Sequence, residues 1–268
     1  MTSRSLRGVT MEKLFDVVHE DAGLLVINKP AGLVCHPTKG DAYSSLISRV
    51  RIYLAKADDT ASAHLVNRLD RETSGLVLVA KNPETAGQLG TIWETRAVEK
   101  EYAAIVHGHV REEHGVIDAP LGKDETSVVA IKDAVRADGA AAQTEFHVER
   151  RFARDGREFS WLRVLPRTGR KHQIRIHLAH HGHPIVGDKI YGGDETRYLK
   201  FIVDALTPDD WNELLLPNQA LHAGALRFLW RGVEREFRAA PESGFVQFAE
   251  PVWRETGTKP KETTNGHE

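Results

Sequence analysis

A chain of 268 residues is long enough to bury a substantial core, and 41% hydrophobic with 28% charged residues is a globular composition, neither disordered nor fibrous. No apolar run approaches the about 18 residues of a membrane helix, the first fifteen residues show no secretory signal, and the single cysteine, Cys35, excludes an internal disulfide and a cysteine-built zinc site. These features predict a soluble protein of a reducing compartment, the cytoplasm, and a net charge of −2 does not by itself mark a protein that coats nucleic acid.

Residues 1–11 read as a flexible lead, 12–253 as one continuous domain and 254–268 as a disordered tail without apolar periodicity. LLVINKP (24–30) is a short apolar strand stopped by Pro30 and a KPAG turn. Asp41 is placed to cap a helix carrying Leu46, Ile47, Val50 and Leu54. LVLVAK (76–81) has the composition of a buried strand, and Pro83 fits the first turn of a helix running through Trp93. VEKEYAAIVHG (98–108) alternates, which puts Val98, Tyr102, Ala104 and Val106 on one face. TEFHVERRF (144–152) and EFSWLRVLP (158–166) predict a hairpin closed by ARDG. A last helix begins after Thr168 and Gly169 and ends at Gly182, with Ile174, His177, Leu178 and His181 at i, i+3, i+4, i+7. Strands without regular β-α-β alternation, joined by a few helices, predict an α+β fold with a largely antiparallel sheet.

Three segments carry candidate chemistry. In NRLDRETSG (67–75), Asp70 lies between Arg68 and Arg71, two cations that would aim it. A lone carboxylate there can act as a nucleophile or stabilise a developing cation, although residue types alone favour a turn-capping aspartate. Tyr102 would face inward from its strand, where most tyrosines simply pack. The window from Phe159 to Gly187 has no acid and holds Arg163, Arg167, Arg170, Lys171, Arg175 and five histidines. A basic helix start is an anion site, with Lys171, His172 and Arg175 able to share a face; a solvated charge run is the plainer reading. His177 and His181 have zinc-ligand spacing, but no glutamate sits between them as in a metalloprotease helix, so no metal is expected.

The chain resembles the RluA-type pseudouridine synthases over about residues 14–250. NKPAGLVCHP (28–37) resembles the family's opening block, NRLDRETSGLVLVAK (67–81) its catalytic block and KEYAAIVHG (100–108) its tyrosine strand. GRKHQIRIHLAHHGHPIVGDKIYG (169–192) is similar to its arginine block; LHAGALRF (221–228) and EFRAAP (236–241) resemble its closing strands. The resemblance implies an RNA uridine isomerase that needs no cofactor, on an α+β fold whose mixed sheet and flanking helices surround a central active-site cleft. It makes Asp70 the catalytic aspartate, Tyr102 the active-site tyrosine and Arg175 the arginine that pairs with the aspartate. Arg68 matches the arginine that enters the RNA stack when the uridine flips, and Arg170, Lys171 and His172 would contact RNA, with Arg163 and Arg167 as further phosphate contacts. Asn67 stands where members usually have histidine. Relatives often carry an N-terminal S4 domain; with about a dozen residues before the first core strand, target selection is expected from the catalytic domain itself or from loops such as 109–143 and 192–220. The implied partner is structured ribosomal or transfer RNA, and the implied state a monomer. An RNA-binding protein that has lost catalysis and a metal-dependent hydrolase are the competing classes.

Overall fold

The computed structural model describes residues 15–37, 44–56 and 62–250; Asp41 and the predicted lead and tail lie outside them. The first half of the chain gives β1 (Asp16–Glu20), β2 (Leu24–Lys29), α1 (Leu46–Ala55), β3 (His64–Leu65), β4 (Ser74–Ala80), α2 (Pro83–Glu94) and β5 (Val98–His107). Next come β6 (His114–Asp118), β7 (Leu121–Lys123), β8 (Asp133–Val135), β9 (Gln143–Arg154) and β10 (Arg157–Pro166). The chain continues through α3 (Gln173–His180), α4 (Thr196–Ile202), α5 (Pro208–Leu214), β11 (Leu221–Trp230), β12 (Val233–Arg238) and α6 (Ser243–Ala249).

One sheet runs in the order β1-β2-β4-β11-β5-β10-β9-β6, with β3 added to β4 and β12 to β11, and β7-β8 stand apart as a two-stranded ribbon. Its pairs are antiparallel except β4 with β11, which run parallel and register Ser74 on His222 and Gly75 on Ala223. The fold is α+β, as the mix of strand and helix patterns predicts. No helix among the described residues is long and apolar enough to cross a membrane.

Period-2 alternation on β2 and β4 explains the layers. Leu25, Ile27, Val77 and Val79 face α1, where Leu46, Val50 and Leu54 meet them. Leu24, Val26, Leu76 and Leu78 face the other way, toward Leu89 of α2 and Leu226 and Phe228 of β11. These strands are apolar throughout because both faces are covered, and each such side chain contributes about 1.5–3 kcal/mol on burial. A further core lies under β5, β9 and β10, filled from α3 by Ile174 and Leu178 and from α6 by Phe245 and Phe248.

Local rules set most boundaries. Asn82 caps α2 by accepting from Thr85 N, with Pro83 in the first turn. Asp155 and Gly156, both with positive φ, make the two-residue turn between β9 and β10. The cap of α1 is Ser45, whose side chain accepts from Ser48 N. The expected start of α3 is corrected: residues 168–172 form a turn, and the helix begins only at Gln173. Gln173 causes this, because its Oε1 accepts from Arg170 N at 3.0 Å and from Thr168 Oγ1 at 2.6 Å, while His172 takes a left-handed φ of 54°. Nor is α3 amphipathic: Gln173 to Leu178 are all buried, and His181 is an exposed cap residue rather than a core position.

Gly75 marks the closest backbone approach in the sheet. Its φ is +116°, and a Cβ there would sit 2.3 Å from Ala223 O on the parallel neighbour. Both the conformation and the space demand glycine. Gly75→Ala is expected to cost about 3 kcal/mol or more, read as a lowered urea midpoint; a shift under about 1 kcal/mol would contradict the close approach.

Candidate active site

Asp70 sits in the loop between β3 and β4, and nearly every neighbour in that loop is fastened. Asn67 clips it to β4, donating from Nδ2 to Leu76 O at 3.1 Å and accepting at Oδ1 from Leu78 N at 2.8 Å. The position that usually holds histidine thus performs a backbone-pinning task that an amide, with both a donor and an acceptor, can fulfil. Leu69 is buried and pairs through its backbone with the Cys35 thiol. Arg71 O accepts from Lys29, a fully buried lysine that also donates to Pro30 O and Leu33 O and whose ammonium is pushed by burial down to about 8. Glu72 takes the Lys189 ammonium at 2.5 Å, Thr73 accepts from Gln219, and Ser74 meets His222 Nδ1 at 2.9 Å. Burial raises the Glu72 carboxyl against the pull of Lys189, so this pair acts as an anchor within the fold rather than a source of large stabilisation.

The cation that aims Asp70 is neither of its sequence neighbours. Arg71 turns away, its Nε donating to Gly32 O and its guanidinium lying 5.2 Å over the Phe201 ring. Arg68 is exposed and lines the mouth of the cleft. Arg175 of α3 reaches across instead, its Nη1 donating to Asp70 Oδ2 at 2.9 Å. The pairing that the resemblance implies is therefore made, but through a single bond and not through the planar guanidinium fork. The fork is given to Asp188, with Nε to Oδ2 at 2.6 Å and Nη2 to Oδ1 at 2.8 Å. Asp188 is wholly buried and also accepts from Ile190 N and Tyr191 N. Burial alone would depress the Arg175 guanidinium, but Asp188 and then Asp70 outweigh it and hold it above its ordinary value. Arg175 is therefore a fixed charge bridging a buried anchor and a cleft-facing carboxylate.

Asp70 is left with one oxygen tied and one open. Among the described residues no hydrogen bond falls on Oδ1, and Nε2 of His172 lies 3.9 Å from it. Burial and the charge of Arg175 push the His172 imidazole well below its ordinary range, so it is neutral near pH 7 and this contact is not an ion pair. Tyr102 projects from β5 into the same cleft, partly exposed and packed against two core layers. Burial first, and the Asp70 charge second, raise its phenol, which stays protonated. With Lys100, Pro166 and Leu221 these residues line a cleft that is open to solvent. A second cleft shares Asp70, His172 and Arg175 and is walled by Ile131, Tyr198 and Phe201.

The acid-free window is not a free basic face. Arg163 pairs with Glu149 at 3.0 Å and lies 3.8 Å from Glu101, Arg167 pairs with Glu145, and Lys171 with Asp133 at 2.9 Å. The acids come from β5, β8 and β9, where no local window of sequence could reveal them. Arg170 makes no ion pair among the described residues; its Nε donates to Ala141 O, and it lines the cleft with Arg68. Two of the window's histidines are likewise engaged. His177 is buried with one ring nitrogen on Thr144 Oγ1 at 2.8 Å and the other on Ala119 O at 2.9 Å, and His183 meets His107 O.

Sequence reasoning passed over Asp188 and Tyr191. Both lie in the quoted GDKIYG run, but what marks them is tertiary: Asp188 receives the Arg175 fork, and the Tyr191 ring lies 5.0 Å under the same guanidinium.

Residues 23–180 match the family model described as RNA pseudouridylate synthase. The chain is 35% identical over 216 residues to the "Uncharacterized RNA pseudouridine synthase YlyB" of Bacillus subtilis, covering 80% of this chain and 64% of that one. It is 34% identical over 254 residues to the "Ribosomal large subunit pseudouridine synthase D" of Yersinia pestis, covering 93% and 74%. The chain spans between half and two thirds of the length of the first curated relatives it matches. Among solved structures it is similar to "Human RNA Pseudouridylate Synthase Domain Containing 4", with a TM-score of 0.67, 26% identity and coverage of 86% and 90%. A family model covering more than half of the chain and a relative aligned over nearly all of it agree, and the chain belongs to the RNA pseudouridylate synthase family.

Proposed function

We propose that this protein isomerises uridine to pseudouridine in large-subunit ribosomal RNA, with Asp70 as the reacting carboxylate. The observation that carries this reading is the Asp70 side chain itself. One oxygen is held by an anchored guanidinium, and the other is open to a cleft lined by Tyr102. The reaction exchanges the N1–C1′ bond for C5–C1′ and gains no atoms, so the chemistry requires a placed carboxylate, a dry seat for the detached base and a path for one proton, and no cofactor. The open oxygen attacks the sugar or stabilises it as the glycosidic bond breaks. The neutral Tyr102 phenol packs against the uracil and cannot act as its base while protonated. The target must leave its stack at a cost of a few kcal/mol, which Arg68 offsets by filling the gap. The choice of ribosomal over transfer RNA rests on the names of relatives such as that from Yersinia pestis. Incubating unmodified transcripts of large-subunit ribosomal RNA and of transfer RNA with the protein, followed by pseudouridine mapping, tests it. Modification of the ribosomal transcript is expected; modification of transfer RNA alone would overturn the choice of substrate.

The ion pairs refine what the basic window does. Arg68 and Arg170 line the cleft and make no ion pair among the described residues, whereas Lys171 is already paired with Asp133. Arg170→Ala is expected to flatten the salt dependence of RNA binding by about 0.7–0.9 of a slope unit, and Lys171→Ala by clearly less. Equal slopes for wild type and Arg170→Ala would contradict this division.

A further inference from the structure

A chain of polar contacts runs from Asp133 through Tyr191 and His172 into the cleft, and the direction of each hydrogen can be followed. The backbone N–H of Asp133 donates to Tyr191 Oη at 3.2 Å, because an amide N–H has no other role. Tyr191 Oη also lies 3.0 Å from Nδ1 of His172. If the phenol donates to Nδ1, every hydrogen has an acceptor. If Nδ1–H donated instead, the phenol hydrogen would be left without a protein acceptor in a half-buried place, which is unfavourable. The far side of the ring gives the same answer. An unprotonated Nε2 would turn its lone pair toward Asp70 Oδ1, 3.9 Å away, whereas Nε2–H turns a positive edge. The neutral ring therefore carries its single hydrogen on Nε2. Its seat is also fixed, by a T-shaped contact with the Tyr191 ring at 5.7 Å and by a left-handed backbone, φ 54°, that is costly for a non-glycine residue.

We propose that His172 recognises the target nucleoside through this fixed Nε2–H donor, which is aimed at an acceptor oxygen beside C1′, with Tyr191 as the positioning residue that sets the tautomer. The proposal deepens the reading above and rests on Asp70 acting at C1′. The 3.9 Å gap is too long for a direct hydrogen bond, so the donor remains available to an oxygen seated near Oδ1. Two exocyclic oxygens lie beside C1′ in this way, uracil O2 and the ribose 2′-oxygen; the ring oxygen O4′ is bonded to C1′ itself, but its lone pair is drawn into the electron-poor carbon as the glycosidic bond breaks, which makes it a poor acceptor. When the N1–C1′ bond breaks, its electron pair leaves with the base and spreads onto O2 before C5 forms the new bond. A preset donor at O2 would stabilise that charge; one at the 2′-oxygen would orient the sugar.

The test has a spectroscopic and a kinetic arm. Nitrogen-15 NMR of the imidazole-labelled free protein is expected to show His172 as the Nε2–H tautomer, and Tyr191→Phe is expected to give a mixture. His172→Gln, whose amide N–H reaches near the Nε2 position, should keep turnover within about tenfold, while His172→Leu loses about 100-fold in kcat. Thermal unfolding of both variants separates this loss from a folding defect. Target RNA bearing 2-thiouridine should erase the difference between the Gln and Leu variants if O2 is the acceptor, and 2′-deoxyuridine should erase it if the sugar is. An Nδ1–H tautomer in the wild type, or Gln and Leu variants that turn over alike, would overturn the proposal. Wild-type protein inert on every RNA would instead sink the proposed activity, and the NMR arm would still decide the tautomer.

Discussion

Asp70→Asn is expected to abolish turnover, by more than about 1,000-fold, while the protein stays folded. Asparagine keeps the shape and can still accept the single Arg175 bond, so the loop and the cleft lose little. Asp70 is about a third exposed, and Arg175 remains gripped by Asp188, so no buried charge is stranded. What disappears is the open, negatively charged oxygen. Single-turnover assays with saturating enzyme separate the chemical step from RNA binding, which should change little. Residual turnover within tenfold of wild type is a loss under about 1.4 kcal/mol, too small for a nucleophile or a principal electrostatic group.

Arg175→Lys should have the second largest effect, and it should damage both activity and stability. An ammonium is a point charge that cannot bridge two carboxylates with three bonds in one plane. The wholly buried Asp188 would lose its two-bond partner and retain only the Ile190 and Tyr191 amides. Lysine keeps a positive charge near Asp188, so the cost is part of the roughly 3–5 kcal/mol of a fully broken buried pair, and Asp70 loses the group that aims it. A drop in urea midpoint together with a kcat loss of about 100-fold or more is expected. If stability were unchanged and only RNA affinity fell, Arg175 would be a phosphate contact and the bridging role would be wrong.

Much of the fold was legible because local rules decide it. Asn82 and Pro83 set the start of α2, Asp155 and Gly156 close the β9–β10 hairpin, and the apolar runs of β2 and β4 announce strands covered on both faces. The start of α3 was misplaced because local side-chain bonds, from Gln173 back to Thr168 and Arg170, hold the preceding residues in a turn that the apolar period does not register. The ribbon of β7 and β8 is too short for any period to register. In the site, Asp70 and Arg175 could be named from their motifs, but Asp188 could not. Which carboxylate receives a guanidinium depends on packing, and the twelve intervening residues carry no signal of it. The basic window misled for the same reason, since its partners Glu101, Glu145, Glu149 and Asp133 lie elsewhere in the chain.

The central claim is that Asp70 drives an isomerisation of uridine, and release of the C5 hydrogen measures it most directly. When C5 bonds to C1′, its hydrogen must depart to solvent. RNA lacking the modification and carrying tritium at C5 of uridine is expected to release label to water with no added metal, nucleotide or reductant. The mass of the RNA should not change, and Asp70→Asn protein should release none. A methyl transfer would release label but add mass and need a donor. Release that stops with a chelator, release that persists in Asp70→Asn, or no release from RNA known to hold the unmodified target would contradict the account.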